Sequence, residues 1–255
     1  MQLGDFMKKI ENIYYTNNNS DAQTLNIYLP ESDSFKVFLY FHGGGFESGR
    51  KEAAENFVED LISANIAVVS ADYRMYPYAR YPEFIIDGAA AVAWVKKNIS
   101  EYGNCEALYV GGSSAGGYLT QMLCFDKRYL APFKLSPMDI DGFIHDAGQP
   151  TTHFNVLRER GIDSRRVIID EAAPLYHIGK DEKYPPMLFL ASDNDWPARL
   201  EQTHLIMATL KHFGYPMDNI KLSVQHGTHC HYVKKAEEGK ENVFAKLCKE
   251  FMEVK

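Results

Sequence analysis

Two adjacent serines lie in a glycine-rich segment, VGGSSAGG, whose spacing is typical of a nucleophile turn. Within it, Gly112-Ser113-Ser114-Ala115-Gly116 fits the pattern G-x-S-x-G. A serine at a sharp strand-to-helix turn has strained backbone, and glycines on either side let neighbouring segments pass closely. We therefore predict that Ser114 attacks a carbonyl carbon. Ser113 is the frame-shifted alternative and fits the pattern less well, and a plain glycine-rich turn is the alternative without chemistry.

Three consecutive glycines could stabilise negative charge on a substrate oxygen. They lie in the segment HGGGF, which starts at His42, and such a run is costly unless the backbone must approach something closely. We predict an oxyanion hole formed by the main-chain N–H groups of Gly44, Gly45 and Ala115, while His42 is expected to order the loop. The alternative is a flexible turn. The sequence contains neither G-x-x-x-x-G-K-[ST] nor G-x-G-x-x-G, which argues against a nucleotide site.

These motifs need a scaffold, and short β-rich runs alternate with helical patterns along the chain. This alternation predicts an α/β fold with a mostly parallel sheet covered by helices on both faces. The predicted strands cover residues 36–41, 66–70, 107–111, 141–147, 186–191 and 220–224, with 11–15 and 24–29 as antiparallel edge strands. The predicted helices cover residues 52–64, a stretch after Pro82, and 115–124, 199–213 and 240–252.

The sequence predicts one domain, residues 1–255, with a cap-like insertion at about 148–183. The pattern there is polar and irregular, and the segment is too long for a plain loop. We expect a small helical insertion that covers part of the acyl or alcohol pocket. His145 and Asp146, at the end of a predicted strand, are expected to approach the same pocket.

Four segments together resemble a known family: HGGGF, SADYRMYP, YPEFIIDGAAAVAWV and GGSSAGG. Over roughly residues 25–125, their order and spacing are similar to the hormone-sensitive-lipase-like and bacterial carboxylesterase branch of the α/β-hydrolases. The resemblance implies the α/β-hydrolase fold with about eight strands, a Ser–Asp–His triad and short-chain esterase activity. No cofactor is expected. We expect Asp72 and Arg74, in the D-Y-R segment, to form a structural charge pair. The short N-terminus departs from the larger lipase-like members, so their N-terminal lid is expected to be absent.

The triad acid should precede the base, because hydrolases of this type present serine, acid and histidine in that order. The segment LFLASDNDWP offers Asp193 and Asp195. Related proteins place the carboxylate at the end of a G-x-x-D-like turn, and Ser192 stands here where glycine is usual. The resemblance therefore favours Asp195, with Asp193 as the alternative.

Three histidines near the C-terminus are candidates for the base. The segment KLSVQHGTHCHY contains His226, His229 and His231. The resemblance favours His229, because families of this kind place the histidine shortly after a glycine turn and before a small residue. A zinc site is the alternative, since the three histidines and Cys230 are capable ligands. Without an H-E-x-x-H or C-x-x-C pattern, no metal is predicted.

Aromatic residues near the inferred site predict an aromatic-lined pocket, with Phe46, Trp196 and Tyr232 as candidate substrate-binding residues. Such a pocket suits acetylated sugars or aryl esters. The predicted function is a serine carboxylesterase that hydrolyses short-chain carboxylic esters through an acyl-enzyme. An amidase, formamidase or small peptidase on the same fold is one alternative. A non-catalytic ligand-binding member of the fold is another.

Composition narrows the classes of partner. The 255 residues carry a formal net charge of −7, which argues against nucleic acid as a partner. The sequence contains no run of eighteen apolar residues, so no membrane span is predicted. A small-molecule ester is the expected partner. The four cysteines form no C-x-x-C pair and the N-terminus lacks signal-peptide features, so a cytoplasmic protein with free thiols is expected. The oligomeric state, including a homodimer, is left open.

Overall fold

Eight β-strands form one sheet in the part of the chain described by the structure, a computed structural model that covers residues 7–179 and 182–253. The strands are β1 (Lys8–Tyr14), β2 (Thr24–Leu29), β3 (Ser34–Phe41), β4 (Ile66–Ala71), β5 (Asn104–Ser113), β6 (Gly142–Asp146), β7 (Met187–Ser192) and β8 (Ile220–Gln225). Their order in the sheet is β1-β2-β4-β3-β5-β6-β7-β8. The first two strands are antiparallel to their neighbours, and all other pairings are parallel.

Six α-helices lie among the same residues, and they cover both faces of the sheet. They are α1 (Val58–Ile62), α2 (Glu83–Asn98), α3 (Ala115–Phe125), α4 (Phe154–Glu159), α5 (Arg199–His212) and α6 (Val243–Glu253). Short 3₁₀ turns occupy Asp21–Gln23, Lys51–Asn56, Ile99–Glu101, Ala131–Phe133, Pro137–Asp139, Pro174–His177, Met217–Asn219 and His231–Val233. Within residues 7–179 and 182–253, no helix combines the length and the apolar character that crossing a membrane requires.

The sheet separates two apolar clusters, and strand β3 contributes to both. Leu39 and Phe41 face the cluster that contains residues of α2, α3 and α5. Phe38 and Tyr40 face the opposite cluster, which contains residues of α1 and α6. This alternation follows from the two-residue period of a strand, and burial of both faces explains the nearly continuous apolar run of β3. The predicted fold class is confirmed.

The helix predicted over residues 52–64 is instead two elements, a 3₁₀ turn at Lys51–Asn56 and the short helix α1. Phe57 interrupts them with a φ of −142° and a ψ of −4°. Its buried ring packs edge-on against Tyr40 and Phe244, with centroid distances of 5.0 and 4.9 Å. Inserting this ring between strand and helix takes the backbone out of the helical conformation.

The segment predicted as an insertion contains one short helix, α4, and the 3₁₀ turn at Pro174–His177 among its described residues. Residues 180 and 181 of this segment lie outside the described part of the chain. Much of its interior is polar, since Gln149, Thr151 and Asn155 are buried. The division into one domain and a cap stays a prediction.

The predicted charge pair between Asp72 and Arg74 is wrong, because each side chain pairs with a different element. Asp72 accepts hydrogen bonds from Nζ and the main-chain N–H of Lys51, at 2.9 and 2.7 Å. Arg74 instead donates from Nη2 to Asp87 of α2 at 2.8 Å. Asp87 is buried, so the guanidinium compensates a carboxylate that burial would otherwise destabilise.

Candidate active site

Ser114 lies at the turn between β5 and α3 in a backbone conformation that side-chain-bearing residues rarely adopt, with a φ of 55° and a ψ of −111°. Its N–H donates to the main-chain oxygen of Asp146 at 2.7 Å. A Cβ on Gly116 would lie 2.1 Å from the carbonyl oxygen of Phe41, and a Cβ on Gly112 would lie 2.6 Å from the carbonyl carbon of Gly116. The turn therefore excludes side chains at both glycines and projects that of Ser114 beyond the end of the sheet.

Three of the predicted site residues form a continuous hydrogen-bonded array. Nε2 of His229 lies 2.8 Å from Oγ of Ser114, and Nδ1 of His229 lies 2.6 Å from Oδ1 of Asp195. Because the carboxylate can only accept, Nδ1 carries the proton and Nε2 is free to accept from the hydroxyl. The side chain of Asp195 is buried and that of His229 is only 13% exposed.

Parallel strands explain how these distant residues meet. Ser114 follows β5, Asp195 lies in the loop after β7, and His229 lies in the loop after β8. The strands from β5 to β8 are parallel neighbours, so their carboxyl ends lie along one edge of the sheet. Side chains in the loops at that edge can therefore converge, although more than one hundred residues separate the hydroxyl from the imidazole.

The alternative site residues have other partners. Nδ1 of His226 lies 2.7 Å from Asp193 in a pair at the surface, where His226 is 97% exposed. Nδ1 of His231 contacts the carbonyl oxygen of Thr228 at 2.9 Å. The Ser113 hydroxyl accepts a hydrogen bond from Tyr40 at 3.1 Å.

The histidine-rich segment does not gather its side chains around one point. His226 pairs with Asp193, His229 bonds to Ser114 and Asp195, and His231 faces its own turn. Within the described ranges, no three His, Cys, Asp or Glu side chains are grouped closely enough to hold a metal ion. The zinc alternative therefore has no support in the positions of these four residues.

The glycine loop after β3 lies directly beside the nucleophile turn. A Cβ on Gly43 would lie 3.2 Å from the Cβ of Ser114. Gly44 and Gly45 have positive φ values of 118° and 66°, and a Cβ on Gly44 would lie 1.9 Å from the main-chain oxygen of Ser48. Among the described residues, no hydrogen bond from the N–H groups of Gly44 or Gly45 is found outside the helices and strands. The N–H of Ala115 belongs to the first turn of α3, where N–H groups have no partner within the helix, so all three donors are suited to bind an oxygen.

His42 is held within this loop and not directed at the nucleophile. Its Nδ1 lies 2.7 Å from the carbonyl oxygen of Gly43, and its ring stacks on Tyr73 with centroids 4.5 Å apart. The hydroxyl of Tyr73 donates to the main-chain oxygen of His42 at 2.7 Å. Burial disfavours the charge of the neighbouring Asp72, but contacts with His42 and Lys51 outweigh that effect and lower the carboxyl pKa. These contacts of His42 with Tyr73 and Asp72 hold the start of the glycine loop in place.

A cavity of about 550 Å³ opens at Ser114. Trp196 lines it with a half-exposed indole, and Phe154 lines it from the segment predicted as a cap. The ring of Phe154 also covers Gly45, since a Cβ there would lie 3.1 Å from Cζ of Phe154. Polar groups at the cavity include Glu47, which forms an ion pair with Arg158 of α4 at 2.9 Å.

Two of the three predicted substrate-binding residues do not line this cavity. Phe46 has no exposed surface, and its ring stacks on Phe84 with centroids 3.9 Å apart. Tyr232 is also buried and donates its hydroxyl to the carboxylate of Asp146. Both predictions are wrong because these rings pack into the interior, whereas Trp196 remains at the cavity.

The expectation that His145 and Asp146 approach the pocket is also wrong, because both side chains lie inside the molecule. The ring of His145 packs between Phe143 and Phe189, at centroid distances of 5.6 and 4.9 Å. Burial lowers the pKa of His145 to about 3 and raises the pKa of Asp146 to about 6. Both are therefore residues of the sheet interior.

Phe154 was not predicted from the sequence. It belongs to an irregular segment without a motif, and only the folding of that segment over the sheet brings it to the cavity. No pattern in this polar segment points to Phe154.

Part of the chain is similar to a known protein family and to known enzymes. Residues 25–139 match the family model described as BD-FAE. The chain is 34% identical over 103 residues to carboxylesterase NlhH of Mycobacterium tuberculosis, which is 39% of this chain and 32% of that protein. It is 35% identical over 113 residues to tuliposide B-converting enzyme 1 of Tulipa gesneriana, which is 38% of this chain and 26% of that protein.

Similarity to solved structures extends over nearly the whole chain. Esterase B of Lactobacillus rhamnosis superimposes with a TM-score of 0.76 at 17% identity, covering 97% of this chain and 86% of that chain. The chain has the α/β-hydrolase fold. The resemblance predicted from the sequence is therefore confirmed.

The chain matches its curated relatives only in part. The chain spans about a third or less of their length, 32% and 26% in the two cases above. The family match includes the glycine loop and Ser114 and ends before Asp195 and His229. At 17% identity, the structural similarity bears on the fold alone.

Proposed function

We propose that this α/β-hydrolase is a serine hydrolase that cleaves carboxylic esters with short acyl groups. The observation that carries the proposal is the array of Ser114, His229 and Asp195, with distances of 2.8 and 2.6 Å between successive polar atoms. The names of the reported relatives, carboxylesterase and esterase, agree with this activity.

The first step forms an acyl-enzyme. His229 accepts the hydroxyl proton at Nε2 while Oγ of Ser114 attacks the ester carbonyl carbon. The carbon–oxygen bond to the alcohol then breaks, and the imidazolium returns the proton to the leaving oxygen. Asp195 holds the protonated Nδ1 and stabilises the imidazolium. Water, deprotonated by the same imidazole, releases the acid and restores the serine.

Charge develops on the carbonyl oxygen during both steps. The N–H groups of Gly44, Gly45 and Ala115 are the donors we assign to it, with the N-terminal end of α3 adding a favourable dipole. Removal of one such donor typically costs about 3–4 kcal/mol of transition-state stabilisation. The constrained φ values of the glycine loop mean that these donors need little reorganisation.

Acetylated sugars and aryl esters are the substrate classes we propose within this activity. The cavity volume of about 550 Å³ lies within the range of small-molecule sites. Phe154 and Trp196 offer aromatic surfaces against which a sugar ring or an aryl group can pack. Glu47 and Asn56 add polar groups for hydroxyls at the same cavity.

The proposal is tested by labelling and turnover. A fluorophosphonate probe should modify Ser114, identified by peptide mass spectrometry, and Ser114→Ala should abolish both labelling and hydrolysis of p-nitrophenyl acetate. Ser113→Ala is the matched control and should retain labelling. Normal hydrolysis by Ser114→Ala would refute the proposal. Faster cleavage of p-nitroacetanilide than of the ester would assign the site to amides.

A further inference from the structure

The indole of Trp196 is stacked on the imidazole of His229. Their ring centroids are 4.1 Å apart and the ring planes differ by 17°. The main-chain N–H of Trp196 also donates to Oδ1 of Asp195 at 2.6 Å. One residue therefore contacts both the acid and the base of the array, through two different groups.

Several contacts hold the indole in this position. The guanidinium of Arg199 lies 5.7 Å from its ring centroid, and the ring of Phe154 packs edge-on at 6.0 Å. The main-chain N–H of Arg199 donates to the carbonyl oxygen of Trp196 at 3.0 Å. Arg199 is in turn anchored by a hydrogen bond from Nη1 to the main-chain oxygen of Ala147 at 3.1 Å. Half of the indole remains exposed, yet its orientation is fixed from several sides.

The face of an indole carries negative electrostatic potential, so it attracts a cation within about 6 Å of the ring centroid. Imidazole becomes such a cation when it takes the serine proton. We propose that Trp196 is a positioning residue for the base, which holds the His229 ring in line and stabilises the imidazolium formed during the reaction. The catalytic part of this role rests on the proposed function, whereas the stacking can be tested in the resting protein.

Other charged and titratable groups also face His229. Asp195 lies at Nδ1, the Ser114 hydroxyl lies at Nε2, and the buried Asp146 interacts electrostatically with the ring. Cys230 follows in the chain, and Glu47 and Lys234 line the same cavity. Arg199 is a cation near the indole, and burial lowers its pKa to about 10, so it stays charged near neutral pH. Substitutions confined to Trp196 leave all of these groups in place.

The chain has two tryptophans, so fluorescence can report on this contact without any substrate. In a Trp94→Phe background, emission from Trp196 should fall as pH decreases, because a stacked imidazolium quenches indole fluorescence. The additional substitution His229→Asn should abolish this transition. If the transition is absent, or if it persists without His229, the proposed contact between indole and imidazolium is refuted, whatever the enzyme's substrate.

Activity profiles test the catalytic part. For Trp196→Leu, we expect the acid limb of kcat/KM against pH to move to lower pH by about 0.3–0.7 pH unit, the equivalent of a roughly two- to fivefold loss of imidazolium stabilisation. Trp196→Phe should move it less, because the aromatic face is retained. Asn56→Ala removes a polar side chain of the cavity but none of the groups that hold the indole, and it should change KM without moving the limb. A limb unmoved in Trp196→Leu, with only KM raised, would mean that Trp196 contacts substrate and does not act on the base.

Discussion

Asp146 is joined to Ser114 through its backbone and to Tyr232 through its side chain. Its main-chain oxygen accepts the Ser114 N–H at 2.7 Å, and its carboxylate accepts the Tyr232 hydroxyl. Tyr232 lies three residues after His229. The end of β6 therefore connects the turn that bears the hydroxyl to the segment that bears the imidazole.

The carboxylate of Asp146 should make stability depend on pH. Burial raises its pKa from 3.8 to about 6, so between these values the folded protein binds more protons than the unfolded chain. The contribution of this carboxyl group to the free energy of unfolding should therefore fall by roughly 3 kcal/mol as pH rises from about 4 to 6. Asp146→Asn should remove that slope, measured by urea unfolding at a series of pH values. An identical slope in both proteins would contradict the assignment.

Exchange of each candidate acid for its amide should separate their roles. Asp195→Asn should lower kcat for p-nitrophenyl acetate by about 10³- to 10⁴-fold, because the amide cannot stabilise the imidazolium and favours the wrong tautomer. Asp193→Asn is the matched control, and its pair with the exposed His226 should contribute little. Steady-state kinetics of the two variants checks this. Equal losses of kcat in the two variants would show that Asp195 has no special role as the acid.

Gly116 should tolerate no side chain. Gly116→Ala places a Cβ 2.1 Å from the carbonyl oxygen of Phe41, which is backbone and cannot rotate away. We expect the free energy of unfolding to fall by about 3 kcal/mol or more, as for a severe packing clash. Gly179→Ala, with nothing within 4 Å and no positive φ, should be nearly neutral. Thermal unfolding of both variants gives the comparison, and a stable Gly116→Ala protein would mean that the turn can shift.

The pair between Arg74 and Asp87 should matter far more than an exposed pair. Arg74→Met removes the guanidinium partner of the buried Asp87 carboxylate. Among the described residues, the Gln23 amide and the Arg74 N–H remain as its donors. We expect a loss of about 2–3 kcal/mol. Arg165→Met breaks an exposed pair with Asp163 and should leave the free energy of unfolding nearly unchanged. Chemical denaturation distinguishes the two, and similar losses would show that Asp87 does not depend on its guanidinium partner.

The features predicted well from the sequence were those encoded by neighbouring residues. Apolar residues at Ile85, Ala89, Val92 and Val95 recur with helical spacing, and all four are buried along α2. The G-x-S-x-G spacing likewise lies at a strand-to-helix turn. In both cases a local pattern is sufficient, because the period of the element determines which side chains face the sheet.

The predictions that proved wrong concern contacts between segments that are distant in the sequence. Asp72 bonds to Lys51 in the 3₁₀ turn before α1, and Arg74 bonds to Asp87 in α2. The closeness of Asp72 and Arg74 in the sequence was therefore misleading. Phe46 and Trp196 are both aromatic neighbours of predicted site residues. Phe46 lies in the interior because its ring packs on Phe84, whereas Trp196 lies at the cavity, where its indole stacks on His229.

Strand β8 lies at the edge of the sheet, and within the described residues it pairs with β7 alone. Its side chains are partly or fully exposed along its whole length. Edge strands with few buried contacts fray at lower free energy than central ones. His229 follows this strand, whereas Ser114 follows β5 in the middle of the sheet. Mild heating should therefore detach the imidazole from an otherwise intact nucleophile turn, with amide hydrogen exchange in β8 accelerating before that in β5.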